Sequence, residues 1–264
     1  MATDKYTSLD QIEVDQTQYE MDHLVYTLSH DMRMPFITLR GFVEELSFLF
    51  DDLTELIEDV VPHLESEKQE RLREIAEELP EIEAFVATST KQLDTYLQDL
   101  LNLSRTGRQV LYHQKLDANR IIDRVLTELD DLVAEVEPII EVDTLPACFG
   151  DKEALLQIFE HIIRNALQYH QLGRKCQIKI SVKIENDFAV YEIADNGRGI
   201  NKTDRRNIFE PFFRVGWHDV PGRGMGLAYA RKLVRLHQGT VDCQSKEGVG
   251  TTICFTMPLK SMSY

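Results

Sequence analysis

Three segments in the later part of the chain hold residues whose types and spacing suit work on a nucleotide. HIIRNALQYH sets Asn165 on an otherwise largely apolar helical stretch. FAVYEIA alternates as a strand and runs into DNGRGI, with Asp195, Gly197 and Gly199. GRGMGLAYARKL brings Gly222, Gly224 and Gly226 to the start of a further helix. Each is ordinary alone, but one chemistry links them. Glycines ahead of a helix let backbone N–H groups approach phosphate, and the helix N-terminus adds a favourable partial charge. A carboxylate leaving a strand can accept a hydrogen bond from an exocyclic amine such as that of adenine. An Asn carbonyl can hold Mg²⁺ against phosphates, because Mg²⁺ prefers oxygen and takes few protein ligands.

Such a set needs a rigid frame, and the pattern after Gly107 predicts one. A helix is expected from about Asp117 to Val136, then a short strand in IIEVDT, then a helix from Lys152 to about His170. Gln177–Ile184 and Phe188–Ala194 read as adjacent strands turning at Glu185-Asn186-Asp187. A helix over about Met225 to His237 precedes a closing pair of strands, GTVDCQS and GTTICFTM, around Lys246-Glu247-Gly248. Strands grouped with helices, without strict βαβ alternation, predict an α/β sandwich with helices on one face of a mixed sheet.

The first part has a different period. Between residues 9 and 105 the one glycine is Gly41, and apolar residues recur three or four apart. Leu24, Leu28, Phe42, Leu46, Leu49, Leu53, Leu56 and Val60 mark one arm; Leu72, Ile75, Leu79, Ile82, Leu93, Leu97, Leu100 and Leu103 mark another. The break lies near Pro62 to Glu67, with Ser66 expected to cap the second arm. Pro35 and Pro80 are expected to kink it. This predicts a long antiparallel helical hairpin; arms of about 40 residues reach about 60 Å. One hairpin has too little neighbouring surface to bury its own stripe, so pairing with a second copy into a four-helix bundle is expected. The fold class is therefore α+β, with a helical domain at 1–107 and an α/β domain at 108–264.

Composition bounds the rest. The chain has 264 residues, 43% hydrophobic and 28% charged, which excludes fibrous and wholly disordered readings. No apolar run is long enough to span a membrane, and MATDKYTSLD has no signal-peptide pattern. Four scattered cysteines make a zinc site or disulfide framework improbable and fit a reducing cytoplasm. Residues 1–105 hold 24 Asp+Glu against 8 Lys+Arg, whereas residues 106–264 hold 21 of each. All the excess acidity sits in the helical part, which should repel nucleic acid and anionic lipid.

The segments around Asn165, Asp195 and Gly222–Gly226 resemble the N, G1 and G2 boxes of the sensor histidine kinases. That family shares its Bergerat-type ATP-binding fold with DNA gyrase, a heat-shock chaperone and MutL. IFEPFFRV (Ile208–Val215), with Phe209, Phe212 and Phe213, resembles the F box in its required place. Gly250–Thr252 resembles the final glycine box, and the likeness covers roughly residues 20–258. LVYTLSHDMRMPF then resembles the H box, with Pro35 five residues after His30.

The resemblance implies that His30 accepts the γ-phosphoryl group of ATP, with Asp31 holding the other ring nitrogen and taking its proton. It implies that Asn165 is the Mg²⁺ ligand and that Asp195 contacts the adenine amine. Gly197, Gly199, Gly222, Gly224 and Gly226 would shape the pocket and its lid, and Arg214 and Arg223 would meet phosphates. Val215–Pro221 would be a short lid, with Trp217 as its anchor. The implied partners are a response regulator receiver domain and a second copy of the chain, in the cytoplasm. Only about 20 residues precede the H-box helix, so the input is expected from a larger receptor or a partner protein.

Three positions depart from the family pattern. Met34 stands where Thr or Asn is usual, His161 where Asn is common, and Gln168 where Lys is common. Gln168 forgoes a phosphate-facing charge, which bears on catalytic rate more than on nucleotide binding. These departures support a competing reading, a degenerate ATP-binding dimeric scaffold. A gyrase-like or chaperone-like ATPase is a third reading, and it lacks an H-box hairpin. Met34 has no group that orients a water, so the chain is expected to dephosphorylate its receiver partner weakly or not at all. The check is loss of label from a phosphorylated receiver domain incubated with the chain and nucleotide; fast loss, insensitive to H-box substitutions elsewhere, contradicts it.

Overall fold

The computed structural model describes the backbone of residues 3–106, 110–216 and 220–261, and within them the side chains of Thr27, Met32 and Met34 onward. The chain divides into two compact units, Met1–Arg105 and Thr106–Tyr264.

In the first unit, helix α1 (Thr3–Val60) leads through a 3-10 turn, Val61–His63, into helix α2 (Ser66–Thr106). The arms run antiparallel. The Ser47 hydroxyl on α1 donates to the Glu83 carboxylate on α2, and Phe50 and Thr54 line one cavity with Leu79 and Pro80. Pro35 and Pro80 lie inside unbroken helices. The start of α2 differs from expectation by one residue. The Glu65 carbonyl accepts from Lys68 N (2.9 Å) and Gln69 N (3.0 Å), so Glu65 holds the N-cap place and Ser66 is already helical.

The apolar stripe of α1 is mostly uncovered: Phe42, Leu46, Leu49, Leu53, Leu56 and Val60 are 42–60% exposed. Among the described residues of that arm, only Ile57 and Val61 are buried apolar side chains.

The second unit has a five-stranded sheet, in the order β2 (Ile139–Val142), β4 (Gln177–Glu185), β5 (Phe188–Asp195), β7 (Gly250–Pro258), β6 (Val241–Lys246). β2 runs parallel to β4 and the other pairs are antiparallel. Helices α3 (Ala118–Glu128), α5 (Lys152–Gln168) and α6 (Gly226–Leu236) supply the other layer. Alternation in the strands turns Ile178, Ile180, Tyr191, Ile193, Phe255 and Met257 into the core, where Phe159 of α5 meets them. The rings of Phe159, Tyr191 and Phe255 pack with centroids 5.1–5.4 Å apart. A fully buried ring such as Phe159 contributes about 3–5 kcal/mol against truncation to Ala.

One expectation is corrected and one element is added. The single helix over Asp117–Val136 is two helices, α3 and α4 (Asp130–Val136), because Leu129 leaves helical geometry (φ −101°, ψ 14°) as its side chain enters the core. A two-stranded antiparallel pair, β1 (Gln114–Leu116) with β3 (Cys148–Gly150), was not legible, since three residues cannot display alternation.

Asp151 anchors the start of α5. Its Oδ1 accepts from Ala154 N (3.0 Å) as the N-cap, and its Oδ2 accepts from Tyr112 N (3.0 Å). Its own N–H donates to Nε2 of buried His237 (3.0 Å), whose Nδ1 pairs with the Leu233 carbonyl (2.7 Å). The bonds require a neutral ring with its proton on Nδ1. Burial lowers the pKa of His237, against the Leu233 bond and with His113 and Asp151 nearby. The unfolded chain therefore binds the proton more readily, and His237 stabilises fully only above an ordinary His pKa of about 6.5. Wild type should exceed His237→Gln in urea midpoint at pH 8, and the gap should narrow as pH falls from 7 to 5; a gap independent of pH contradicts this.

Candidate functional site

The site is organised by one face of α5. Its apolar face, including Leu155, Ile158, Phe159, Ile162 and Ile163, is buried in the core. A second face carries His161, Asn165 and, at the C-cap, Tyr169, each four residues from the last and so stacked one turn apart. At one end, His161 lies against Gly226 at the start of α6, 3.4 Å from where a Cβ would stand. At the other end, the Tyr169 carbonyl accepts from Arg198 N (3.0 Å) and sits 2.5 Å from the Cβ position of Gly197. Asn165 therefore stands between the DNGRGI loop and the G2 glycines. Its side chain is half-buried and makes no hydrogen bond among the described residues.

The loop after β5 is held by backbone crowding. Gly199 has φ +69°, and a Cβ there would meet the Lys246 carbonyl at 2.0 Å. No other residue fits both constraints. Asp195 Oδ1 accepts from Gly197 N (2.8 Å) and Thr251 N (3.1 Å), which leaves Oδ2 open among the described residues. Burial pushes the carboxyl up to about 6, against the two N–H bonds that favour the charged form. Ser245 Oγ ties the same corner together: it accepts from Ile200 N (2.7 Å), donates to the Gly250 carbonyl (2.8 Å) and lies 2.9 Å from Thr251 Oγ1.

The F-box and G2 segments meet directly. Phe212 N donates to the Gly224 carbonyl (3.1 Å), and Gly224 (φ +73°) lies where a Cβ would strike the Phe213 carbonyl at 2.5 Å. Phe209 is buried; Phe212 and Phe213 are half-buried. Arg214 Nη2 donates to the Val220 carbonyl (2.5 Å), across the base of the expected lid. Gly222 and Arg223 are exposed. Trp217 lies outside the described residues, as do the side chains of His30 and Asp31, whose backbone is in α1. Met34, four residues after His30, is exposed.

His161 pairs through Nδ1 with Glu160 Oε2 (3.0 Å) and stacks on Tyr229 of α6 (5.7 Å, 23°). Burial pushes the Glu160 carboxyl up, but the bonds and charges of His161 and Arg164 outweigh it and hold it at about 2. Gln168, at the end of α5, is half-buried. Sequence reading missed Thr251's bond to Asp195 and the parts played by Ser245, Tyr169 and Asp151. The bonds that tie Thr251 to Asp195, Ser245 to Ile200, Tyr169 to Arg198 and Asp151 to His237 join residues tens of positions apart, so no local spacing marks them.

Residues 150–261 match the family of histidine kinase-, DNA gyrase B- and HSP90-like ATPases. The chain is 30% identical over 247 residues to the methanogenesis regulatory histidine kinase FilI of Methanothrix harundinacea, covering 93% of this chain and 25% of that protein. It is 28% identical over 268 residues to the sensor histidine kinase WalK of Bacillus subtilis, covering 97% of this chain and 39% of that one. The chain thus spans about a quarter to two-fifths of the length of these relatives. The solved chain of the histidine kinase AdeS of Acinetobacter baumannii has a similar fold, with TM-score 0.53 and 20% identity, covering 88% of this chain and 98% of that one. Residues 150–261 are thus an ATPase-family domain. Over 93–97% of its length the chain is similar in sequence to the histidine kinases FilI and WalK.

Because folding raises the Asp195 pKa, its charged form opposes folding above about pH 6. Asp195→Asn keeps an oxygen for Gly197 N and Thr251 N, and should raise stability at pH 7.5 by about 1–2 kcal/mol. The gain should shrink as pH falls below 6, where the wild-type carboxyl is protonated. Urea denaturation at pH 7.5 and 5 checks it; a variant no more stable than wild type at pH 7.5 contradicts it.

Proposed function

We propose that the chain is the catalytic core of an ATP-dependent protein histidine kinase, which phosphorylates itself on His30 and passes the phosphoryl group to an Asp of a response regulator receiver domain. The observation that carries this is the one face of α5 that sets Asn165 between the Asp195 loop and the G2 glycines. Residues 108–264 are the ATP-binding domain in this reading, and residues 1–107 the phosphotransfer and dimerisation domain. The exposed α1 stripe supports a homodimer, since a second copy would cover it as a four-helix bundle. Among the described residues no helix is long and apolar enough to cross a membrane, and the cytoplasm is the proposed location.

Asp195 Oδ2 would accept the adenine amine, in the carboxylate form that prevails above about pH 6. Gly197 and Gly199 let the chain pass close to the base, while Gly222, Gly224 and Gly226 bring backbone N–H groups to the phosphates at the head of α6. Arg214 and Arg223 would add positive charge there. Asn165 would hold Mg²⁺: its amide oxygen is uncommitted, and Mg²⁺ takes one or two protein oxygens with substrate phosphates. When bound, the ion supplies charge neutralisation at the transferring phosphoryl group. A ring nitrogen of His30 forms the new N–P bond as the bond to the departing ADP oxygen breaks, and Asp31 takes the proton from the other nitrogen.

The degenerate scaffold keeps one supporting observation. His161 Nδ1 is committed to Glu160, and its ring stacks on Tyr229, so a single ring nitrogen, Nε2, stands in for the two polar atoms of an amide. The two readings separate on incubation with γ-labelled ATP and Mg²⁺. The expected result is acid-labile, alkali-stable label that is absent in His30→Gln and much reduced in Asp195→Asn. Nucleotide binding without label would establish the scaffold instead.

A further inference from the structure

Arg174 lies in the loop between α5 and β4, outside every box that carries the family likeness. Gly173 (φ +80°) turns the chain just before it, and its own N–H closes the turn onto the Gln171 carbonyl (3.1 Å). Its guanidinium then reaches three main-chain carbonyls: Nη1 donates to Asn196 O (2.9 Å) and Val249 O (3.4 Å), and Nη2 to Gly248 O (3.1 Å).

The three targets flank one carboxylate. Asn196 follows Asp195 directly. Gly248 and Val249 end the turn that leads to Thr251, whose N–H reaches Asp195 Oδ1, and Gly250, just before Thr251, has its Cβ position 2.0 Å from the Asp195 carbonyl. Three further bonds reinforce the corner: Gly248 N donates to Arg198 O (2.7 Å), and the Asn196 side chain accepts from Gln177 N and donates to Lys175 O. The guanidinium bonds the main chain of both segments at once.

Resting on the nucleotide reading above, we infer that Arg174 is a positioning residue that aligns Asp195 with the adenine amine and so sets the preference for adenine over guanine. It acts through the main chain. The groups that perturb Asp195 are burial and two N–H bonds, with no arginine charge among them. The planar fork suits this geometry, because its two Nη atoms reach carbonyls on separate segments, whereas an ammonium concentrates its three donors on one nitrogen.

The test is equilibrium binding of ATP and GTP with Mg²⁺ to the full chain, for wild type, Arg174→Ala and Arg174→Lys, with thermal unfolding alongside. Arg174→Ala should weaken ATP about five- to tenfold and leave weak GTP binding unchanged, so that the ATP-to-GTP ratio falls. Arg174→Lys should recover only part of the loss. An unchanged ratio, or equal weakening of both nucleotides, overturns the inference. If Arg174→Ala does not fold, full recovery by Arg174→Lys overturns it in the same way. Failure of the wild-type chain to bind ATP overturns the nucleotide reading itself, and is recognised before any substitution is made.

Discussion

The approach of main chain to main chain around Asp195 is the constraint on which the site depends. The Cβ positions of Gly197, Gly199 and Gly250 lie 2.0–2.5 Å from the carbonyls of Tyr169, Lys246 and Asp195. Each contact joins segments from different elements, the end of α5, the β6–β7 turn and the loop after β5. Side chains larger than hydrogen would force these segments apart. The result is a carboxylate with one oxygen fixed by two N–H groups and the other left open among the described residues. The fold gives up some stability to hold it, since burial opposes the charged form.

Helix α5 serves two purposes because its period separates them. Residues at core spacing pack on Tyr191 and Phe255, while His161, Asn165 and Tyr169 recur on another face. Asp151 fixes where this helix begins. It caps α5, receives the Tyr112 N–H from the segment that enters the unit, and donates to His237 at the end of α6. Three elements are therefore referenced to one residue, and the face bearing Asn165 inherits that precision.

The two units stand on different physics. The second buries a continuous core of strand and helix side chains. The first buries little, and its apolar stripe is exposed on an arm crowded with carboxylates. Like charge along both arms resists close packing at low ionic strength, so burial of the stripe against another surface is the main stabilising contribution open to it. The acidic surface and the apolar stripe together favour a specific apolar partner face over nucleic acid or anionic lipid surfaces.

Much was legible without coordinates. Apolar spacing marked both arms of the hairpin, α5, α6 and all five main strands, because burial on one face imposes its period on local sequence. The glycines and Asp195 were legible as a set because close backbone approach and a charged acceptor each demand one residue type. What stayed hidden had no local signature. The break at Leu129 arises where a side chain must turn into the core, although its neighbours keep helical spacing. The bonds of Ser245, Thr251, His237 and Arg174 join residues tens of positions apart, and the strand and helix patterns around them read the same with or without those partners. Sequence alone determined which chemical groups the site contains, since residue type is a local property. Tertiary structure alone decided which atoms of those groups are occupied and which are left open, since that depends on what the fold brings beside them.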